Sequence, residues 1–416
     1  MANIQFFKRN WKKEEEKRRF WERWKRKFSK IVGGSGKMAL PIRRGEFWKK
    51  KVGKMAMKPL KIGKWKIKYP IIQGGMGLGI SWDRLAGSVS KEGGLGVISS
   101  VGTGYYEKGK YVRRMVEGRP LLEKEFYNRE ALFKIFENAR KICGDAPLGC
   151  NILYAINDYG RVVRDACEAG ANIIITGAGL PTDMPQFTKD FPDVALVPIV
   201  STARAFRVIA RRWEKRYKRL PDAVIVEGPL SGGHQGFKYE ECFKEENQLE
   251  NLIPSIREEV DRWDPSIPVI GAGGVWSRED ILRLMELGAD GVQMGTRFAL
   301  TYECDASDHF KQVLLNAKKE DIVLIKSPVG YPARGIKTDL LKRIEEGKKD
   351  IIKCISNCVQ PCNRGEEARK VGYCIADRLA DAYYGKLDTG LFFGGAYTYR
   401  ADRLLSVKEL MEELVK

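Results

Sequence analysis

The chain has 416 residues, 43% of them hydrophobic, which is enough for a full core and excludes a chain disordered throughout. Its net charge of +20 is concentrated at one end: residues 1–54 hold 19 Lys+Arg against 5 Asp+Glu, while the remainder holds 55 against 49. A body so near neutrality points to no specific nucleic-acid partner, and no apolar run approaches the roughly 20 residues that cross a bilayer.

Without the apolar core of a secretion signal, a cytoplasmic location is expected. The nine cysteines then read as reduced thiols or metal ligands rather than a disulfide framework.

Residues 1–54 form a basic extension. Trp21, Trp24, Phe28 and Ile31 fall at helical spacing among lysines and arginines, the pattern of an amphipathic helix able to contact anionic surfaces. Gly33, Gly34, Ser35 and Gly36 then break it, so a solvated tail fits the same residues.

From Leu60 the texture changes to short β-branched runs, each followed by a helical pattern. Their ends are Gln73 (YPIIQGG), Ser99 (LGVISS), Asn151 (LGCN), Thr176 (NIIITG), Ser201 (LVPIVS), Glu227 (AVIVEG), Gly271 (PVIGAGG) and Gly295 (GVQMG). The spacings are 26, 52, 25, 25, 26, 44 and 24, so five of the seven steps fit one strand, one helix and two loops. Eight such units with strands apolar on both faces predict an α/β fold, a TIM-type (β/α)8 barrel over residues 55–305. The segment LKIGKWKIKYP before the first strand is placed to plug the bottom of that barrel.

The two long steps carry insertions on the side where barrel enzymes place their chemistry. One is GTGYYEKGKYVRRMVEGRPLLEKEFYN after the second strand, a candidate lid or partner surface. The other is GPLSGGHQGFKYEECFKEENQ after the sixth, and it holds His234, one of only two histidines. Glycine beside glycine marks a tight turn or a close backbone approach to a ligand, so His234 is expected at the catalytic mouth. The other histidine, His309, reads as a surface or helix residue.

At the seventh and eighth positions GAGGVWSREDILRLM and GVQMGTRF pair two glycine turns, with Ser277 as the expected N-cap of the following helix. The common phosphate site of such barrels lies there, which makes Gly273, Gly274, Gly295 and Thr296 the expected phosphate binders. No GxGxxG with a later acidic residue supports a Rossmann site.

Residues 306–416 are expected to form a helical extension packed on the barrel. Within it Cys354, Cys358 and Cys362 recur every four residues, which would align them on one helical face, and Cys374 follows. Their spacing is neither that of a zinc ribbon nor of a ferredoxin and Pro361 weakens a helix through Cys362, so no metal is expected and packing of small apolar residues is the favoured reading, with these four cysteines the only metal-ligand candidates. The cluster Phe392–Tyr397, FFGGAY, is expected to return to the mouth.

The ordered set PIIQGGMGLGIS, EGPLSGGHQG, PVIGAGGVWSREDILRLMELGADGVQMGTRF and the later GGAYTYR resembles the nitronate monooxygenase family, formerly 2-nitropropane dioxygenases. The resemblance implies a barrel that binds FMN, with Gly74, Gly75 and Met76 along the flavin and Asn151 and Thr176 near the ring. It places Ser231, Gly232 and Gly233 in the flavin region, adds Glu227, Gly271 and Gln293 to the cofactor set, and makes His234 the active-site histidine. It also implies oxidation of an alkyl nitronate by oxygen to a carbonyl compound and nitrite. EGPLSGGHQG is similar as well to the flavin-dependent enoyl-acyl-carrier-protein reductases, which implies the alternatives of NAD(P)H-dependent reduction of an enoyl thioester or a generic NAD(P)H-dependent flavin oxidoreductase. QGGMGLG leans toward the monooxygenases. A barrel that binds FMN without turnover, a scaffold, is the non-enzymatic alternative. Deleting residues 1–54 is expected to leave flavin binding and turnover intact, as absorbance and steady-state rates of the truncated protein would register.

Overall fold

The computed structural model describes residues 57–106, 126–352, 354 and 358–416, together with the backbone of 111–116 and 119–124. The expected basic helix lies outside the described residues. Eight parallel strands form the central sheet: β3 (Ile71–Gln73), β4 (Gly96–Ser99), β7 (Leu148–Leu153), β8 (Ile173–Gly177), β9 (Ala195–Val200), β10 (Val224–Glu227), β12 (Val269–Ala272) and β13 (Gly291–Met294). Every one ends within two residues of its sequence-predicted end. The strand order is β3-β13-β12-β10-β9-β8-β7-β4, and a parallel bridge between Ile72 and Leu95 joins the two outer strands, so the sheet is a TIM-type barrel.

Strand alternation sorts the core into two layers. Ile72, Val97, Ile175, Val197, Ile225 and Ile270 fill the interior, whereas Ile71, Ile98, Ile174, Leu196, Val224 and Val269 face outward to the helices. The bottom is plugged as expected: β1 (Leu60–Ile62) and β2 (Trp65–Ile67) form an antiparallel hairpin whose Leu60, Ile62 and Ile67 join the interior cluster. Helices follow the strands with the local chemistry their sequences carry. Thr202 caps Ala203–Tyr217 and Ser277 closes a capping box with Asp280 on Arg278–Glu286.

Closure at the β3–β4 seam uses a side chain. The amide of Gln73, fully buried, accepts from the Val97 N–H at 3.0 Å and donates to the Val97 carbonyl at 3.2 Å, doing what one more residue of backbone would do. The neighbouring main-chain bonds are Gln73 N–H to the Leu95 carbonyl and Leu95 N–H to the Ile71 carbonyl, both 2.9 Å.

The first insertion is an antiparallel hairpin, β5 (Tyr111–Val116) and β6 (Arg119–Lys124). Its roots are clipped together by the Thr103 hydroxyl, which accepts from the Asn128 N–H at 2.9 Å and donates to the Asn128 carbonyl at 3.0 Å. The second contains the short strand β11 (Gly233–His234).

The C-terminal extension carries the expected helices, among them Asp308–Leu315, Ile375–Tyr383 and Val407–Val415, and one element the sequence pattern did not disclose. Strands β14 (Ile322–Ile325) and β15 (Ala333–Ile336) form a hairpin across KSPVGYP, and β15 pairs with β11 in a three-stranded sheet. Its strands are four residues long, too short to set a period against the helical background of the tail.

The cysteine spacing does not arise from a helix. Cys354 and Cys358 lie in irregular chain, and Cys362 sits in a 3-10 turn, Gln360–Gly365, kinked where Asn363 and Arg364 take φ of 45° and 50°. Among the described residues no group of three or more His, Cys, Asp or Glu side chains is placed to hold a metal ion, and no helix is long and apolar enough to cross a membrane.

Gln73→Leu leaves the Val97 N–H and carbonyl unpaired in a dry seam. It is expected to cost about 2–4 kcal/mol, read as a lowered urea midpoint at unchanged slope.

Candidate functional site

The open end of the barrel is floored by side chains one step above the apolar interior. Parity puts Asn151, Glu227 and Gln293 on inward-facing positions of β7, β10 and β13, since Gly149, Ile225 and Gly291 precede them by two. Asn151 and Gln293 are buried. Burial pushes the Glu227 carboxyl up to about 7. The Gln293 Oε1 is buried with no hydrogen-bond partner, an acceptor aimed where no protein donor reaches.

Above this floor the chain approaches itself where only glycine fits. A Cβ on Gly75 would stand 2.2 Å from the Asn151 Cβ, while at Gly295 the direction is open, with only the Met76 Sδ at 3.5 Å. Gly273 and Gly274 take φ of 93° and 77°, and a Cβ on either would meet the Gly228 carbonyl at 2.7 Å or Leu230 Cδ1 at 2.9 Å. These two glycines are therefore required to pack the turn after β12 against the loop after β10, whatever else the turn binds.

That loop holds His234. Its backbone is paired with Ala333 in β15, and its Nε2 lies 2.7 Å from the Ser327 hydroxyl. The ring meets Phe393 edge to face, centroids 5.4 Å apart. Burial pushes the imidazole down to about 4, so it is neutral at physiological pH. Gln235, also buried, staples the loop by donating to the carbonyls of Ser231 at 3.0 Å and Gly233 at 2.9 Å. Behind it the buried Arg334 guanidinium donates to the Pro229 carbonyl at 2.8 Å.

The segment Phe392–Ala396 returns to the mouth and wedges between the two loops. The Gly395 N–H donates to the Thr296 hydroxyl at 2.9 Å and the Ala396 N–H to the Leu230 carbonyl at 3.0 Å. A Cβ on Gly232 would come within 2.7 Å of the Gly394 carbonyl carbon, so this approach too depends on glycine.

The structure thus gathers Gly74, Gly75, Met76, Asn151, Glu227, Ser231, Gly232, Gly233, His234, Gly273, Gly274, Gln293, Gly295 and Thr296 around the top of the barrel. It turns two expected members away. Thr176 points into the helix layer, its hydroxyl 3.1 Å from the Tyr159 hydroxyl and 3.3 Å from Met184 Sδ. Gly271 likewise faces Leu284 and Ile253. Both follow inward residues, Ile175 and Ile270, so pleating sends them outward. Ser327, Gln235 and Arg334 escaped the sequence reading. Ser327 and Arg334 lie in the unread hairpin, and Gln235 has no signature beyond its adjacency to His234. His309 is exposed in a helix, as expected.

Comparison with known proteins places this arrangement. The chain matches the family described as nitronate monooxygenase over residues 58–416. It is 30% identical over 315 residues to a probable nitronate monooxygenase of Staphylococcus aureus (strain Newman), covering 68% of this chain and 80% of that one. Among solved structures it is similar to FabK from Thermotoga maritima, at 26% identity and a TM-score of 0.63 over 84% of this chain and 92% of that one. It shares its fold with a nitroalkane oxidase from Streptomyces ansochromogenes, at 21% identity and a TM-score of 0.58 over 83% and 94%.

Ser327→Ala removes the partner of the His234 ring while leaving its backbone pairing intact. The variant is expected to lose no more than about 1.5 kcal/mol of stability, and to shift the His234 imidazole resonances in NMR spectra, which report its tautomer.

Proposed function

The chain belongs to the nitronate monooxygenase family, and from that premise we propose that it is a cytoplasmic, FMN-dependent oxidoreductase that converts alkyl nitronates, with oxygen, to carbonyl compounds and nitrite. The observation that carries the proposal is a neutral histidine on the loop after β10, at the same end of the barrel as a polar floor whose Gln293 acceptor has no protein donor. An N–H-bearing flat ring suits that orphan, and the glycine approaches beside Met76 and Gly295 leave it room. Gly74, Gly75, Met76, Asn151 and Gln293 would hold the ring, and Gly273, Gly274, Gly295 and Thr296 the phosphate. A flavin bound there would supply the redox chemistry of the oxidation.

The chain's own residues do the rest. A neutral His234 offers a lone pair rather than a charge, so it suits proton abstraction from the α-carbon of a neutral nitroalkane better than electrostatic capture of an anion. Ser327 fixes the ring and Phe393 covers its edge, which keeps the imidazole away from bulk water. The second reading, NAD(P)H-dependent reduction of an enoyl thioester, is supported by the likeness to FabK and by the shared fold of the enoyl reductase domain of MlnA from Bacillus amyloliquefaciens, at 14% identity and a TM-score of 0.60.

Anaerobic mixing separates the two. Bleaching of the protein-bound flavin by a nitronate alone is expected, whereas bleaching only by NADH or NADPH, with turnover of an enoyl thioester, would give the second reading. His234→Ala should lower kcat/KM for a neutral nitroalkane by about 100-fold or more and spare the preformed nitronate. Because the neutral imidazole is the active form, that rate should hold from pH 7 downward and fall only as the pH drops toward about 4.

A further inference from the structure

The two turns that would hold the phosphate are tied to one another, and to the last helix of the chain, by one buried arginine. Arg297 follows Thr296 in the turn after β13, and its side chain is only 9% exposed. Its Nη1 donates to the Trp276 carbonyl, in the turn after β12, at 3.1 Å. The guanidinium lies over the Trp276 ring at 5.0 Å, and its Nη2 pairs with Glu413 at 3.0 Å. Glu413 belongs to the last turn of Val407–Val415, where the helix dipole disfavours a carboxylate. Its placement there serves the arginine, not the helix.

That helix is well anchored on its own account. Val407, Leu410, Met411 and Leu414 are buried, and the Val407 N–H donates to Glu303 at 3.0 Å. A rigid helix that presents a carboxylate to Arg297 fixes the guanidinium, and the guanidinium, bonded to the Trp276 carbonyl, spans the gap between the two turns. Several amides can meet the oxygens of one phosphate only if that separation is held.

We propose that Arg297 and Glu413 are positioning residues, a latch through which the C-terminal helix holds the turns after β12 and β13 in register for a phosphate monoester. The inference rests on the proposed FMN site. It makes the C-terminal helix part of the cofactor-binding apparatus rather than a cover for the barrel. Coulomb attraction alone gives the opposite sign for one substitution: removing the negative Glu413 near a dianion should strengthen binding, whereas releasing the latch should weaken it.

The test compares FMN with riboflavin, which lacks the phosphate, by fluorescence titration of the full-length apoprotein. Wild type is expected to prefer FMN. Glu413→Gln and Arg297→Met should each weaken FMN binding by about tenfold, roughly 1.4 kcal/mol, and leave riboflavin affinity within about twofold. Equal losses for both ligands would reduce the pair to a fold-stabilising role and overturn the proposal, as would tighter FMN binding by Glu413→Gln. Should Arg297→Met not fold, Glu413→Gln, altered at a half-exposed position, carries the test alone. A wild type that binds neither flavin fails the functional proposal itself, and with it the latch.

Discussion

A barrel must close, and here the closing bond is made by the Gln73 amide. Strand β3 is three residues long and the chain turns away at Gly74, so main-chain pairing with β4 runs out one step below the mouth. Gln73 supplies both a donor and an acceptor to Val97 and extends the seam by that step. The residues beyond it, Gly74 to Met76, are thereby delivered to the top of the barrel beside Asn151 and Gln293. A floor built from β7, β10 and β13 is of use only if the fourth wall stands.

On this frame the mouth is assembled from loops distant in sequence that support one another. The loop carrying His234 is stapled within by Gln235, tied behind by Arg334 and paired along β15. The Phe392–Ala396 segment fills the space between that loop and the turn after β13, and it can do so because Gly232 and Gly395 carry no side chain. Each contact is modest, on the order of 1 kcal/mol, but several act on one loop and leave it a single conformation.

The repeat of strand ends made the barrel legible, because a βα unit has a nearly fixed length and eight of them with strands apolar on both faces fit a barrel better than an open sheet. Parity was harder. Thr176 and Gly271 stand at strand ends as surely as Asn151 does, yet a shift of one residue in where an end falls exchanges inside for outside. The β14–β15 hairpin escaped for a different reason: its strands are stabilised by β11 and by Phe393, contacts that no local window contains. Ser327 went with it, 93 residues from the histidine it meets. The four-residue cysteine spacing is not helical, because Cys354 and Cys358 lie in irregular chain and Pro361 stands one residue before Cys362.

Burial also sets the chemical character of the site, in a direction composition does not announce. In a chain with 74 basic and 54 acidic residues, burial disfavours the charged forms of two groups at the barrel mouth: the imidazole sits below its usual range and the Glu227 carboxyl above its own. Both shifts have one cause, the cost of charge away from water. Protonating the imidazole or ionising the carboxyl changes the local charge by a full unit, so a proton exchange at either group must be matched by opposite charge forming beside it, as on a nitronate. In the proposed reaction such a mouth suits proton removal from a neutral nitroalkane, which forms the nitronate in place, and the proposed phosphate site falls to the glycine turns after β12 and β13, the two strands next to β10 in the sheet order, which Arg297 bridges.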